Sequence, residues 1–263
     1  MKKRIISAIL LVAILAISLI LDNQYLYQAL IALITAGAVF EVMSKTGFVS
    51  SFWISAASAV YSAVSVFLIG SSAIMYFWAM IVYTAFLLIL SVFGHRAFSF
   101  HELAIAEFAV VFIPIAFSTI LLMNRESPVI YILLSFASSF VTDTGAFAFG
   151  KLFGKHKLAP EISPNKTIEG AIGGVASSCI LLPAICYIWN HDFNIINAVI
   201  VAVIASIASI VGDLFASGIK RQAGIKDFSN IIPGHGGILD RFDSLLFAAP
   251  SLYFIIKLIP IFR

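Results

Sequence analysis

Nine apolar runs, most of them close to twenty residues long, follow one another along this chain. A helix needs ~20 mostly apolar residues to cross ~30 Å of hydrocarbon. The runs fall near Ile5–Leu21, Tyr25–Met43, Phe52–Gly70, Ala73–Phe93, Leu103–Met123, Pro128–Phe149, Ile168–Trp189, Ile195–Phe215 and Leu245–Ile261. Of the 263 residues 61% are hydrophobic and only 11% charged, roughly half the ~25% charged share of a soluble domain. The pattern predicts an all-α fold, a polytopic membrane helical bundle with about nine transmembrane helices. Residues 1–263 then make a single integral membrane domain with no soluble domain left over. Breaks such as Asp22-Asn23-Gln24 and Gly70-Ser71-Ser72 leave room only for tight turns between antiparallel helices. No internal repeat suggests a transporter built from two related halves.

The N-terminus, Met1-Lys2-Lys3-Arg4 before Ile5–Leu21, has the outline of a signal peptide. It lacks a small-x-small cleavage site and further membrane segments come after it, so a retained first helix is expected. Nine spans put the termini on opposite faces, and the basic residues then sort by side. Thirteen lie with the N-terminus: Lys2, Lys3, Arg4, Lys45, Arg96, Lys151, Lys155, Lys157, Lys166, Lys220, Arg221, Lys226 and Arg241. Only three, Arg125, Lys257 and Arg263, lie on the other side. Cytoplasmic loops carry the excess of Lys and Arg. The expectation is a multi-pass protein of the inner (cytoplasmic) membrane with a cytoplasmic N-terminus and an outside C-terminus. A net charge of +3 argues against wholesale nucleic-acid binding. Cys179 and Cys186, seven apart in an apolar run, read as small hydrophobes on one helical face.

Two polar stretches, 150–167 and 217–243, interrupt the hydrophobic pattern on the cytoplasmic side. Long loops in a compact protein are usually functional. Acidic groups in or beside hydrocarbon are costly unless paired, hydrated or metal-bound. Asp143 and Asp213 lie near the cytoplasmic ends of the sixth and eighth spans, and Asp240 and Asp243 sit just before the ninth. If the chain is already helical there, the spacing of three puts Asp240 and Asp243 on one face. Four carboxylates at one depth suit a hard cation such as magnesium, although each alone could be a structural hydrogen-bonding group. Glu41 and Glu107 have no surrounding motif and read as interhelical packing partners. Lys220, Arg221, Lys226 and Arg241 can neutralise phosphate oxygens, while Gly234, Gly236 and Gly237 let backbone N–H groups approach an anion. Lys220 and Arg221 could equally be a pair drawn to anionic lipid. In the other stretch Pro164 stiffens a turn, Lys166 offers a charge to phosphate, and Thr167 can cap the helix that begins at Ile168. Gly170, Gly173, Gly174, Ser177 and Ser178 give the seventh helix a small-residue face for close packing.

The stretch from Ser217 through Lys220-Arg221, Lys226-Asp227 and Pro233-Gly234-His235-Gly236-Gly237 to Asp240-Arg241-Phe242-Asp243 resembles the signature of the phosphatidate cytidylyltransferases. Gly212-Asp213-Leu214 and Ser163-Pro164-Asn165-Lys166-Thr167-Ile168-Glu169-Gly170 are similar to two further elements of that family. The resemblance covers roughly Asp143 to Asp243, leaving residues 1–140 as helices of scaffold type and 141–263 as the catalytic part. It implies transfer of CMP from CTP to phosphatidic acid, giving CDP-diacylglycerol and pyrophosphate. It also implies one or more magnesium ions, held first by Asp213 and Asp240 and less securely by Asp143 and Asp243. Lys220, Arg221, Lys226, His235 and Arg241 are the implied catalytic residues, with a structural turn role equally open for His235. Ser163, Asn165, Lys166, Thr167, Ser217, Asp227, Gly236 and Gly237 are implied in substrate binding. The implied partners are CTP, phosphatidic acid and membrane lipid, with no nucleic acid, and a homodimer is left open.

Two other classes fit less of the sequence. A CDP-alcohol phosphotransferase would need Asp-x-x-Asp-Gly, and Asp243 is followed by Ser244. A cation channel would leave Ser163–Thr167 and the His235-Gly236-Gly237 turn without a purpose.

Overall fold

The computed structural model describes residues 23–93, 98–126, 129–231 and 236–262. Helices dominate: α1 (Gln24–Phe40), continued by a π-helical turn (Glu41–Lys45), α2 (Phe52–Ser71), α3 (Ala73–Phe93), α4 (Phe100–Glu126), α5 (Ile130–Phe153), α6 (Ile168–Trp189), α7 (Ile195–Gln222), the short α8 (Leu239–Phe242) and α9 (Leu245–Leu258). Among the described residues seven helices are long and apolar enough to cross a membrane, and the chain is a multi-pass membrane protein. The expected first span, Ile5–Leu21, lies outside the described residues. The expected ninth is a helix of 14 residues, which at ~1.5 Å each spans ~21 Å, short of the hydrocarbon thickness.

Both polar stretches are more ordered than loops. Helix α7 runs seven residues past its apolar segment to Gln222. Nothing in Ala216–Gln222 breaks a helix, and a stop comes only at Gly224, whose φ of 66° is in the left-handed region that glycine enters cheaply. Ser217, Lys220 and Arg221 are therefore helical residues. In 150–167 the end of α5 is succeeded by an antiparallel hairpin, β1 (Lys157–Ala159) and β2 (Ser163–Thr167), with Lys157 opposite Thr167 and Ala159 opposite Ser163. Helix α8 ends before Asp243, so no continuous helix carries Asp240 and Asp243 on one face.

The chain divides into two compact units. The first comprises Met1–Leu121 and Gln222–Arg241. In it α2 turns Ser55, Ser58, Ser62 and Ser65 inward, small residues at helical spacing that let neighbouring helices approach. Polar side chains link the helices: Gln28 Nε2 donates to Val66 O at 3.3 Å, and Ser58 Oγ meets Tyr83 OH at 2.8 Å. Thr84 Oγ1 donates to Glu107 at 3.2 Å, the interhelical contact expected of Glu107.

The second unit comprises Leu122–Arg221 and Phe242–Arg263. Its centre is the pair α5 and α6, pressed together along the small-residue face that the sequence predicts, where Gly170, Gly173, Gly174 and Ser178 are buried. A Cβ on Gly174 would lie 2.7 Å from Thr142 O, and one on Gly170 would lie 2.7 Å from Ala146 O. Thr142 Oγ1 and Ser178 Oγ meet across the seam at 2.8 Å. Cys186 is buried in α6 and Cys179 half-buried, both as free thiols. Helix α9 packs on α5, and its C-terminal extension caps Tyr131, whose OH accepts from Ile261 N at 3.3 Å.

Because the obstacle at Gly174 is a backbone carbonyl, it cannot swing aside. In a free helix Gly→Ala stabilises by ~1 kcal/mol; here overpacking of ~1–3 kcal/mol opposes it. Gly174→Ala is expected to lower the thermal midpoint in detergent. A rise would mean that the α5–α6 seam has room to spare.

Candidate active site

The hairpin is held against the ends of α5 and α6 by a helix cap. Thr167 is extended (φ −126°, ψ 154°), and its Oγ1 accepts from Gly170 N at 3.1 Å, making it the N-cap of α6 as its sequence position predicts. Cβ atoms on Gly150 and Gly154 would come within about 3 Å of the Thr167 side chain, so both glycines make room for the cap. Glu169, in the first turn of α6, accepts from Lys155 N at 3.0 Å and His156 N at 3.2 Å, and takes the His156 ring at 2.6 Å. Lys157 Nζ closes the hairpin on Pro164 O at 2.6 Å.

With β2 fixed in this way, Lys166 forms an ion pair with Asp213 of α7. Ser217, one turn further along α7, donates to the other Asp213 oxygen at 3.4 Å. Asp143 of α5 accepts from Ser244 Oγ at 3.2 Å, and Ser244 N donates to Asp243 at 2.7 Å, so Ser244 links two carboxylates a hundred residues apart in sequence. Gly212 admits this backbone: a Cβ there would lie 2.6 Å from Asp243 O. Burial pushes the Asp243 carboxyl above the usual carboxylate range, the negative charge of Asp213 pushes it further, and Lys220 pulls it back. Three carboxylates and two lysines thus share one electrostatic neighbourhood. Arg221 Nε donates to Ile162 O at 3.1 Å and braces the hairpin turn. An apolar groove of about 520 Å³ in the same unit is lined by Ile172, Val175, Ile207, Val211 and Leu214, with Leu158 of β1.

Asp240 belongs to the first unit and has a different setting. Its Oδ2 accepts from Phe228 N at 2.8 Å and Gly237 N at 2.9 Å. Gly236, with φ of 83°, turns the chain into this contact. The Glu41 carboxylate, fully buried, is not a packing partner between helices: it accepts from Ser229 Oγ at 2.6 Å, Ile238 N at 2.9 Å and Leu239 N at 2.9 Å. The rule that an acid in hydrocarbon is functional by default could have found it, but no motif near Glu41 tells that its partners lie 188 to 198 residues away. Ser244 was missed because a lone serine carries no signal.

Of the other residues singled out by the sequence, Ser163 is half-buried in the hairpin and Asn165 is exposed, as are Lys226, Asp227 and Arg241. Gly234 and His235 lie outside the described residues. As arranged, no three His, Cys, Asp or Glu side chains among the described residues are gathered closely enough to hold a metal ion. The donor chemistry nevertheless suits a hard cation: Asp143, Asp213, Asp243 and Ser217 offer only oxygen, and a cation would relieve the repulsion felt at Asp243.

The model of the cytidylyltransferase family matches residues 2–259 of this chain. A phosphatidate cytidylyltransferase of Staphylococcus haemolyticus (strain JCSC1435) is 45% identical over 166 residues, 63% of this chain and 64% of that protein. Its namesakes in Staphylococcus saprophyticus and Staphylococcus aureus (strain COL) are each 45% identical, over 168 and 162 residues. The chain spans 62% to 64% of the length of these curated relatives.

Lys166 and Asp213 are each about one-quarter exposed, so their pairing is screened less than at a surface and more than in a dry core. Lys166→Ala leaves Asp213 without that partner and is expected to cost about 1–2 kcal/mol. Adding Asp213→Asn should return part of the loss. Equal thermal midpoints for wild type and Lys166→Ala would show that the pair contributes nothing.

Proposed function

The chain belongs to the cytidylyltransferase family, and on that premise we propose that it acts as a phosphatidate cytidylyltransferase, moving CMP from CTP to phosphatidic acid and releasing pyrophosphate in phospholipid biosynthesis. The reading rests on the cluster in which Lys166 and Lys220 meet Asp143, Asp213 and Asp243, with Asp143 and Asp213 carried by the membrane-length helices α5 and α7. The apolar groove lined by Leu158, Ile172, Val211 and Leu214, on the helices and hairpin that carry Lys166 and Asp213, offers an apolar surface of the kind the chains of a phosphate-headed lipid need.

The chemistry asks for little proton transfer. An anionic oxygen of phosphatidate forms a bond to the α-phosphorus of CTP, the bond from that phosphorus to the oxygen bridging to the β-phosphate breaks, and its electron pair leaves with pyrophosphate. The barrier lies in bringing two polyanions together, so positioning and charge neutralisation carry the catalysis. In this proposal Lys166 and Lys220 offset phosphate charge, Thr167 and Arg221 keep the hairpin that carries Lys166 in place, and Ser217 orients Asp213. Asp143, Asp213 and Asp243 would hold magnesium, while Asp240 holds its own loop. Magnesium, when bound, supplies further neutralisation of phosphate oxygens.

The activity test is pyrophosphate release by the purified protein in mixed micelles. Release should depend on both CTP and phosphatidic acid and fall to background in Asp213→Asn. Magnesium should raise the melting midpoint of Lys166→Ala more than that of wild type, because no lysine competes for Asp213. Release without phosphatidic acid would overturn the proposed acceptor, and near-normal turnover in Asp213→Asn would overturn the proposed site.

Orientation belongs to the same proposal: a cytoplasmic N-terminus and cluster, an outside C-terminus, in the inner (cytoplasmic) membrane. It is supported by the distribution of the basic residues. With Cys179 and Cys186 replaced by Ala, a membrane-impermeant thiol reagent should label Asp192→Cys on intact cells and reach Asn230→Cys only after permeabilisation. The reverse pattern would invert the topology.

A further inference from the structure

The carboxylate of Glu41 sits in a part of the chain that carries no catalytic motif, yet every hydrogen bond described for it comes from the stretch 229–239. Oε1 accepts from Ser229 Oγ and Ile238 N, and Oε2 accepts from Leu239 N. The side chain is 0% exposed. A buried carboxylate is costly unless its lone pairs are used, and here three donors use them, drawn from both ends of one loop. Asp240 pins the same two ends from within the loop, taking Phe228 N and Gly237 N. The close fit extends to Gly237, where a Cβ would lie 2.5 to 2.7 Å from the Glu41 carboxylate. On the other side, a Cβ at Gly37, one turn before Glu41, would strike the Ile238 side chain. Glu41 opens the π-helical turn Glu41–Lys45 at the end of α1. Such turns are rare and are found frequently at functional sites.

We infer that Glu41 is a positioning residue for the proposed reaction: its carboxylate clamps Ser229 to Ile238 and Leu239 and so fixes the glycine turn and Asp240 in the form the enzyme uses. This rests on the proposed cytidylyltransferase activity, while the clamp itself can be tested without it. Geometry decides the substitutions. Glu41→Gln keeps the length but removes the charge and turns one oxygen into an NH2 group, which opposes Leu239 N when the remaining oxygen keeps Ser229 Oγ and Ile238 N. Glu41→Asp keeps the charge but withdraws it by one methylene. Ser229→Ala removes one donor to Glu41 together with the acceptor of Ile231 N, and nothing from the helices.

Two measurements on the full-length protein in nanodiscs separate the clamp from a general role in stability. The first is amide exchange resolved by peptide. Glu41→Gln should speed exchange in peptides covering 228–240 by 10-fold or more, with those from α2 and α6 unchanged. The second is the kinetics of pyrophosphate release. Glu41→Gln should lower kcat/KM by roughly 10- to 100-fold, the range for losing charge-assisted hydrogen bonds, and Ser229→Ala should give a smaller fall in the same direction. On a Glu41→Ala background Ser229→Ala should add little, because its partner is already lost.

Unchanged exchange over 228–240 in Glu41→Gln would overturn the clamp, as would faster exchange spread over all helices. Faster loop exchange with wild-type kinetics would overturn the positioning role. If Glu41→Gln does not insert, Ser229→Ala decides alone: wild-type exchange and kinetics there would overturn the inference. Absence of CTP- and phosphatidate-dependent release from the wild type would overturn the proposed activity and leave the exchange result to judge the clamp.

Discussion

The close approach of α5 and α6 is what the second unit depends on. In hydrocarbon, helices gain little from hiding apolar surface, so backbones must come near enough for dispersion and polar contacts to hold them. Gly145, Gly170 and Gly174 permit that approach, and each would place a Cβ within about 3 Å of the opposite helix. The hairpin inherits its position from the seam, since Thr167 caps α6 while Gly150 and Gly154 at the end of α5 leave space for it. Lys166 is the residue before the cap. The chain of causes therefore runs from small side chains along the α5–α6 seam to the placing of one ammonium group on the hairpin.

Charge governs the rest of the candidate site. Asp143, Asp213 and Asp243 come from three separate segments, and their mutual repulsion is offset by Lys166 and Lys220. In this structure lysine pairs with aspartate; under the proposed function lysine would pair with phosphate and aspartate with a cation. Exchange between the two conserves total charge pairing, which makes it energetically accessible. A rigid site with only one way of pairing would bind substrate at the cost of breaking its own contacts.

Much of this was legible in the sequence because the signals were periodic or local. The spans Ala73–Phe93 and Ile168–Trp189 have the limits that hydropathy alone assigns them, and the cap at Thr167 is expected of a threonine placed just before an apolar run. Two kinds of feature were not legible. One is order in polar segments: the extension of α7 to Gln222 and the hairpin at Lys157–Thr167 show no hydropathy contrast, since they lie where the chain leaves the membrane. The other is long-range pairing. Nothing near Glu41 announces Ser229 or Leu239, and nothing near Ser244 announces Asp143, because a contact between distant residues leaves no mark on the spacing of either.

The π-helical turn at Glu41–Lys45 has a consequence for how such proteins can be recombined. A π turn spreads one residue more than an α turn over about one turn of helix, so removing a residue there would restore regular α geometry and change which side chain stands at the place of Glu41. A chimera that takes the 217–243 stretch from a relative but keeps a regular helix at this position would supply the motif without the carboxylate that holds it. The portable module is therefore discontinuous, one short helical turn near the start of the chain together with a loop near its end, and grafting must carry both.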